Sequence, residues 1–139
     1  MSHHTLNSTW KEGMAFETEV NGHKFVMDAD DSVGGKDEGP RPKPLLLASL
    51  AGCTGMDVIS ILKKMQQPFT YFNVDIEAEA TEEHPKHYHT IKVIYEFKAS
   101  DKLDEKKVKK AVELSQERYC GVSALLKKAI TVDYEIKYI

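Results

Sequence analysis

The stretch LLLASLAGCTGMDVISILKKM, residues 45–65, decides the fold, and the rest of the chain is best read outward from it. Apolar residues stand at 45–48, 50, 51, 53, 56, 58, 59, 61, 62 and 65, so a helix over this stretch is hydrophobic nearly all round. A helix of that kind is buried in a core or an interface. Pro44 is tolerable in its first turn, Lys63 and Lys64 suit its C-terminal end, and Pro68 stops it after Lys64 or Gln67. At about 1.5 Å per residue such a helix is about 33 Å long, more than one small sheet covers on both faces. A second copy of the chain is therefore the expected cover.

The flanks read as strands. Residues 10–19 alternate loosely with Trp10, Met14 and Phe16 on one side, Asn21-Gly22 predicts a tight hairpin turn, and HKFVMDA alternates again through Phe25, Met27 and Ala29. The segment before residue 10, MSHHTLNST, reads as a polar, frayed start. DDSVGGKDEGPRPKP, residues 30–44, carries three glycines and three prolines and is a long loop of the kind that often carries function. Beyond the helix, 71–80 and TIKVIYEFKA predict a hairpin, with Phe72, Val74, Ile76 and Ala78 facing Ile91, Val93, Tyr95 and Phe97 across one wet-sided sheet. A surface helix follows over 104–119, with Val108, Ala111, Val112 and Tyr119 as its stripe and Asp104 or Asp101 as its cap. It breaks at Cys120-Gly121. A short helix SALLKKA, capped by Ser123, and a last strand ITVDYEIKYI complete the chain. The order ββ-α-ββ-α-α-β places the protein in the α+β class, as a single domain over residues 1–139.

With 139 residues and a formal charge of −3, the chain builds a core without staples and offers no basic field for nucleic acid or anionic lipid. Only Arg41 and Arg118 are arginines, so bidentate anion clamps are scarce. No secretory leader opens the sequence and no uninterrupted apolar run of membrane length occurs, so the expected location is the cytoplasm, where two cysteines stay reduced. His3 and His4, and the cluster His84, His87 and His89, are read as surface and turn residues rather than metal ligands. The Gly34-Gly35 pair matches neither a P-loop nor a dinucleotide fingerprint, and no cofactor motif is present.

Chemistry therefore rests on Cys53 and Cys120. Cys53 is compatible with an inert core thiol. It is equally compatible with a presented one, because Ala51, Gly52 and Gly55 clear space beside it and Thr54 and Asp57 bring polar groups into an apolar element. Cys120 lies where one helix breaks and another begins, a place where free backbone N–H groups favour thiolate and lower its pKa. Tyr119 is placed to close a pocket beside it. Standing 67 positions apart, the two thiols are no CxxC pair, and their spacing does not say whether they meet.

Two stretches, GPRPKPLLLASLAGCTGMDVISILKKM and ERYCGVSALLKKA, together resemble the motifs of the OsmC/Ohr family, the osmotically inducible and organic hydroperoxide resistance proteins. The resemblance covers essentially the whole chain. It implies an intertwined homodimer in which curved antiparallel sheets surround long central helices, with the active site at the dimer interface. It further implies that Cys53 attacks an apolar organic hydroperoxide, that Cys120 resolves the sulfenate as a disulfide, and that an external dithiol reductant closes the cycle. Peroxidase members of the family carry a glutamate about ten residues before the first cysteine, paired with an arginine. This chain has Lys43 there, and its first arginine is Arg41, so these two are the candidate supporting residues. Both thiols without that pair imply slower peroxidase activity or a related cysteine redox activity, and the alternative is a non-enzymatic pocket that holds an apolar small molecule.

Overall fold

The computed structural model describes residues 2–139, which gather into two compact units divided between Leu47 and Ala48. In the first unit, β1 (Asn7–Trp10), β2 (Phe16–Val20) and β3 (His23–Met27) form an antiparallel sheet in that order. The frayed start is thus overturned in part: Asn7–Trp10 pairs in register with Phe16–Glu19, and the Ser8 and Thr18 hydroxyls bond at 2.8 Å. Exposed polar residues hide a strand whenever its partners lie further along the chain. The Asn21-Gly22 turn forms as expected, with both residues at positive φ.

The long loop is ordered around one buried carboxylate. Asp28 accepts backbone N–H bonds from Ala29 at 2.7 Å and from Lys36 and Glu38 at 3.2 Å. Its glycines are required by close approach, since a Cβ on Gly35 would fall 1.9 Å from the Ala29 carbonyl oxygen and one on Gly39 2.0 Å from that of Val26.

Helix α1 (Leu45–Lys64) has the expected bounds. It ends with Gln66 in the left-handed region and the Gln67 N–H bonded back to the Leu62 carbonyl at 3.0 Å, a Schellman-type stop ahead of Pro68. By length and composition alone α1 passes the test for a membrane span, contrary to the reading of the bare sequence, because its interspersed polar residues hardly lower the average. Its packing is that of a core helix on one side. Leu50, Thr54, Val58 and Leu62, spaced four apart, are buried together with Gly55, which lies against Phe72 and Val74. Its other face is open: Met56 is 75% exposed.

The sheet beneath α1 in the second unit contains β4 (Phe72–Ala80), β5 (Tyr88–Phe97) and β6 (Thr131–Tyr138). Ile91, Val93, Tyr95 and Phe97 are buried as their alternation predicts, and Phe72 stacks on Phe97 at 4.8 Å between centroids. This sheet is mixed rather than antiparallel throughout, because β6 runs parallel to β5. Residues 98–130 form the long crossover that parallel pairing demands. They contain α2 (Glu105–Leu114), a π turn (Ser115–Tyr119) and α3 (Gly121–Lys127). Asp104, not Asp101, caps α2. Asp101 instead accepts from the Thr70 N–H at 2.7 Å.

The π turn corrects two further expectations. Ser115 and Gln116 continue inward three and four residues beyond Val112, and the extra residue of the π turn then rotates Tyr119 out of the apolar stripe, leaving it 54% exposed. The cap of α3 is the Cys120 thiol rather than Ser123, which lies buried inside the first turn.

Candidate active site

Cys53 sits half-buried on α1, and Cys120 closes the π turn at 2% exposure. Both are free thiols, and the fold brings Cys53 close enough to Cys120 to act on its titration. The turn holds Cys120 at two points. Its N–H donates to the Ser115 carbonyl at 2.8 Å, and its sulfur accepts the Ser123 N–H at 3.4 Å. The expected depression of its pKa does not occur. Burial pushes the thiol up to about 11, the Ser123 N–H only partly offsets this, and the neighbouring Cys53 thiol adds to the rise. One or two N–H groups return less stabilisation to a buried thiolate than the loss of water removes. Cys120 is therefore a protonated thiol at neutral pH.

Beside the pair runs a buried chain of hydrogen bonds through side chains that sequence reading left scattered. Ser123 Oγ donates to Gln116 Oε1 at 2.9 Å, and Gln116 Nε2 donates to the Tyr95 hydroxyl at 2.7 Å. Tyr95 Oη and Thr54 Oγ1 are 2.6 Å apart, and Thr54 Oγ1 and Ser115 Oγ 2.7 Å. Ser115 Oγ donates to Asp57 Oδ2 at 2.8 Å. A hydroxyl has a single proton, which fixes the sense of the two ambiguous links. Ser115 gives its proton to Asp57, so Thr54 must donate to Ser115, and Tyr95 must donate to Thr54. Every donor from Gln116 onward points toward Asp57. Tyr95, Thr54, Ser115, Gln116 and Ser123 are all buried, and no buried polar side-chain atom among the described residues lacks a partner. Burial raises the Tyr95 pKa, against the lowering effect of its bonds to Thr54 and Gln116, so it remains a neutral donor.

Asp57 ends this chain at a cleft of about 530 Å³ lined also by Ser60, Ile61, Lys64, Leu114 and Tyr119. Asp57 lies one helical turn beyond Cys53 on the same side of α1. Tyr119 adjoins Cys120, so it does line a cavity on this flank, as a wall rather than a lid.

Arg41 is occupied in its own loop, donating to Asp37 at 2.7 Å and to the Gly39 carbonyl at 3.1 Å, with Asp30 at 3.6 Å. Lys43 is exposed in the turn ahead of α1 and forms no ion pair among the described residues. The histidines of the 84–89 turn do not converge, and no group of three or more His, Cys, Asp or Glu among the described residues is arranged to hold a metal. Of the residues that sequence reading missed, Tyr95 carried a usable signal: an inward-facing tyrosine must find a partner for its hydroxyl. Ser115 and Gln116 continue the stripe of Val108, Ala111 and Val112 at helical spacing, but a stripe traced through apolar residues passes over polar side chains.

Comparison with known proteins places this geometry among relatives. The family described as OsmC-like protein matches residues 35–135. Protein YhfA of Escherichia coli K12 is 34% identical over 130 residues, 91% of this chain and 93% of that protein. Among solved structures, a hypothetical protein from Aquifex aeolicus VF5 superposes with a TM-score of 0.84 at 28% identity, covering 100% of this chain and 99% of the other. The organic hydroperoxide resistance protein OhrB of Bacillus subtilis shares the fold at a TM-score of 0.67 and 18% identity, over 96% and 98% of the two chains.

Proposed function

The chain belongs to the OsmC-like protein family, and from that premise we propose that it reduces organic hydroperoxides through the Cys53–Cys120 thiol pair. The observation that carries this reading is the approach of the two thiols in a setting that makes them unequal. Cys53 is the more accessible sulfur, whereas Cys120 is buried and keeps its proton. In the first step the Cys53 thiolate attacks the outer oxygen of ROOH, the O–O bond breaks, and Cys53–SOH forms while RO⁻ takes a proton to leave as ROH. In the second, the Cys120 sulfur attacks the sulfenic sulfur. The S–S bond forms, and the Cys120 proton leaves with the hydroxyl as water. An external dithiol then returns two electrons and two protons by thiol–disulfide exchange.

A second copy of the chain supplies the missing cover of α1 in this reading. Only Leu50, Thr54, Gly55, Val58 and Leu62 are buried along the helix, while Leu46 is 51% and Met56 75% exposed. A charge at the open face, as in Met56→Lys, is expected to shift a dimer toward monomer in sedimentation velocity. A monomeric wild type would remove this part of the reading. The free thiols favour a reducing compartment, the cytoplasm.

Stopped-flow mixing with cumene hydroperoxide tests the chemistry. Wild type is expected to lose two thiols per peroxide, Cys53→Ser to be inert, and Cys120→Ser to stop at a dimedone-reactive sulfenic acid. Oxidation no faster than that of a free thiol, with both cysteines intact, sinks the proposal. The cleft beside Asp57 supports one competing reading, retention of an apolar small molecule without turnover. Native mass spectrometry of the purified protein distinguishes the two, a retained mass together with inert thiols favouring the second.

A further inference from the structure

Gln116 is the one amide in the buried chain, and it joins three elements. Its side chain bonds Tyr95 on β5 and Ser123 in the first turn of α3, while its backbone carbonyl accepts Lys127 Nζ from the last turn of α3 at 2.8 Å. Both ends of α3 are thus tied to a single residue that is itself 3% exposed. The same first turn grips the Cys120 sulfur through the Ser123 N–H.

We propose that Gln116 is a positioning residue for the thiol chemistry, acting through Ser123 to hold the Cys120 sulfur against Cys53. The inference rests on the thiol reading above for its consequence, though not for its geometry. A proton count explains why the residue is an amide. Four links join position 116 to Asp57, by way of Tyr95, Thr54 and Ser115. The three hydroxyls supply three protons, and the fourth must come from position 116, which must also accept from Ser123. Glutamine meets both demands. Leucine meets neither. An ionised carboxylate accepts on both sides and leaves one of the four links without a proton, whereas a protonated carboxyl has the donor and acceptor of the amide.

The test separates position from peroxidase activity by using diamide, an azo oxidant that needs no hydroperoxide. It takes two electrons and two protons from the thiols, so two S–H bonds break, one S–S bond forms and the N=N group becomes a hydrazine. Closure of the Cys53–Cys120 disulfide is read by non-reducing mass spectrometry from about pH 5 to about pH 8, as the ratio of variant to wild type at each pH. Gln116→Leu is expected to close about tenfold more slowly at every pH. Gln116→Glu is expected to match wild type at the acid end, where the introduced carboxyl is protonated, and to fall to the leucine level as it ionises.

The titratable groups bonded to residue 116 are Tyr95 from the sheet, at its side chain, and Lys127 from α3, at its backbone carbonyl, with Asp57 at the far end of the chain and Glu113 and Glu117 on its own segment. Lys127 favours ionisation and the carboxylates oppose it. Circular dichroism monitors folding throughout.

A Gln116→Glu ratio that is flat across this range, at either the wild-type or the leucine level, overturns the proposal. So does failure of that variant to fold at the acid end, or a wild type that diamide does not close. If diamide closes the wild type and the acid rescue appears, but cumene hydroperoxide is not reduced, the peroxidase reading fails and the positioning role stands.

Discussion

Two carboxylates organise two polar centres in this chain, in opposite ways. Asp28 gathers three backbone N–H groups and thereby shapes the 28–41 loop, with Arg41, Asp37 and Asp30 paired at its surface. Asp57 receives a single hydroxyl, and everything behind it is side chain: Ser115, Thr54, Tyr95, Gln116 and Ser123. The first centre fixes backbone by bonds within ten residues of Asp28. The second links four segments far apart in sequence and depends on each hydroxyl having one proton to give. A backbone-anchored centre therefore fails through loss of space or loss of charge, and a hydroxyl chain fails through loss of any one link.

The largest expected effect lies in the first centre. Gly35→Ala drives a Cβ to 1.9 Å from the Ala29 carbonyl, and something must shift. A loss of about 3 kcal/mol in urea unfolding is expected. Next is Thr54→Val, which leaves Tyr95 without its acceptor and Ser115 without its donor. That is expected to lower stability by about 2 kcal/mol, whereas Thr54→Ser keeps both bonds and loses only the methyl contacts. Equal stability of the valine and serine variants would break the distinction between the two centres.

Acid and alkali sharpen the same comparison, because the centres titrate on opposite sides. The Ala29 N–H, with those of Glu38 and Lys36, holds the Asp28 carboxyl below its ordinary 3.8. A depressed folded value gives stability that is present above about pH 4 and lost as pH falls through that folded value. Cys120 is raised from 9.0 to about 11. Its contribution is complete below about pH 9 and is lost as pH rises toward 11. Urea midpoints measured across pH are therefore expected to fall at both ends. Asp28→Asn is expected to flatten only the acid limb and Cys120→Ala to flatten part of the alkaline one, which it shares with Tyr95, Tyr134 and Tyr138, also raised by burial.

The smallest effect concerns Gly52, around whose missing Cβ the single chain has open space. Helix propensity alone would make Gly52→Ala stabilising by up to about 1 kcal/mol. If a second copy packs closely along this face, the expected outcome is a weaker dimer in sedimentation; a higher melting temperature with unchanged association would show that no partner reaches it.

The contrast between the centres also explains what reading the residues in order did and did not reveal. The loop announced itself through its glycines, prolines and aspartates, because its bonds are local. Helix α1 announced itself as a long apolar stretch bounded by prolines, and the inward set Ile91, Val93, Tyr95 and Phe97 through alternation, because burial on a strand repeats with the geometry of the backbone. Asn7–Trp10 escaped because a polar strand has no period of its own, and Tyr119 was misplaced because one inserted residue in the π turn shifted every later side chain.

By itself, then, the sequence determined the elements, the class and the family motifs around Cys53 and Cys120, all of which depend on short-range pattern. Only the tertiary structure decided that the two thiols become neighbours, that Cys120 is protonated by burial rather than ionised by a helix start, and that hydroxyls from α1, β5 and the π turn form one directed chain. The reason is physical: burial and hydrogen-bond partnership are set by neighbours in space, and residues 53, 95, 116 and 120 become neighbours only when α1, β5 and the crossover have packed.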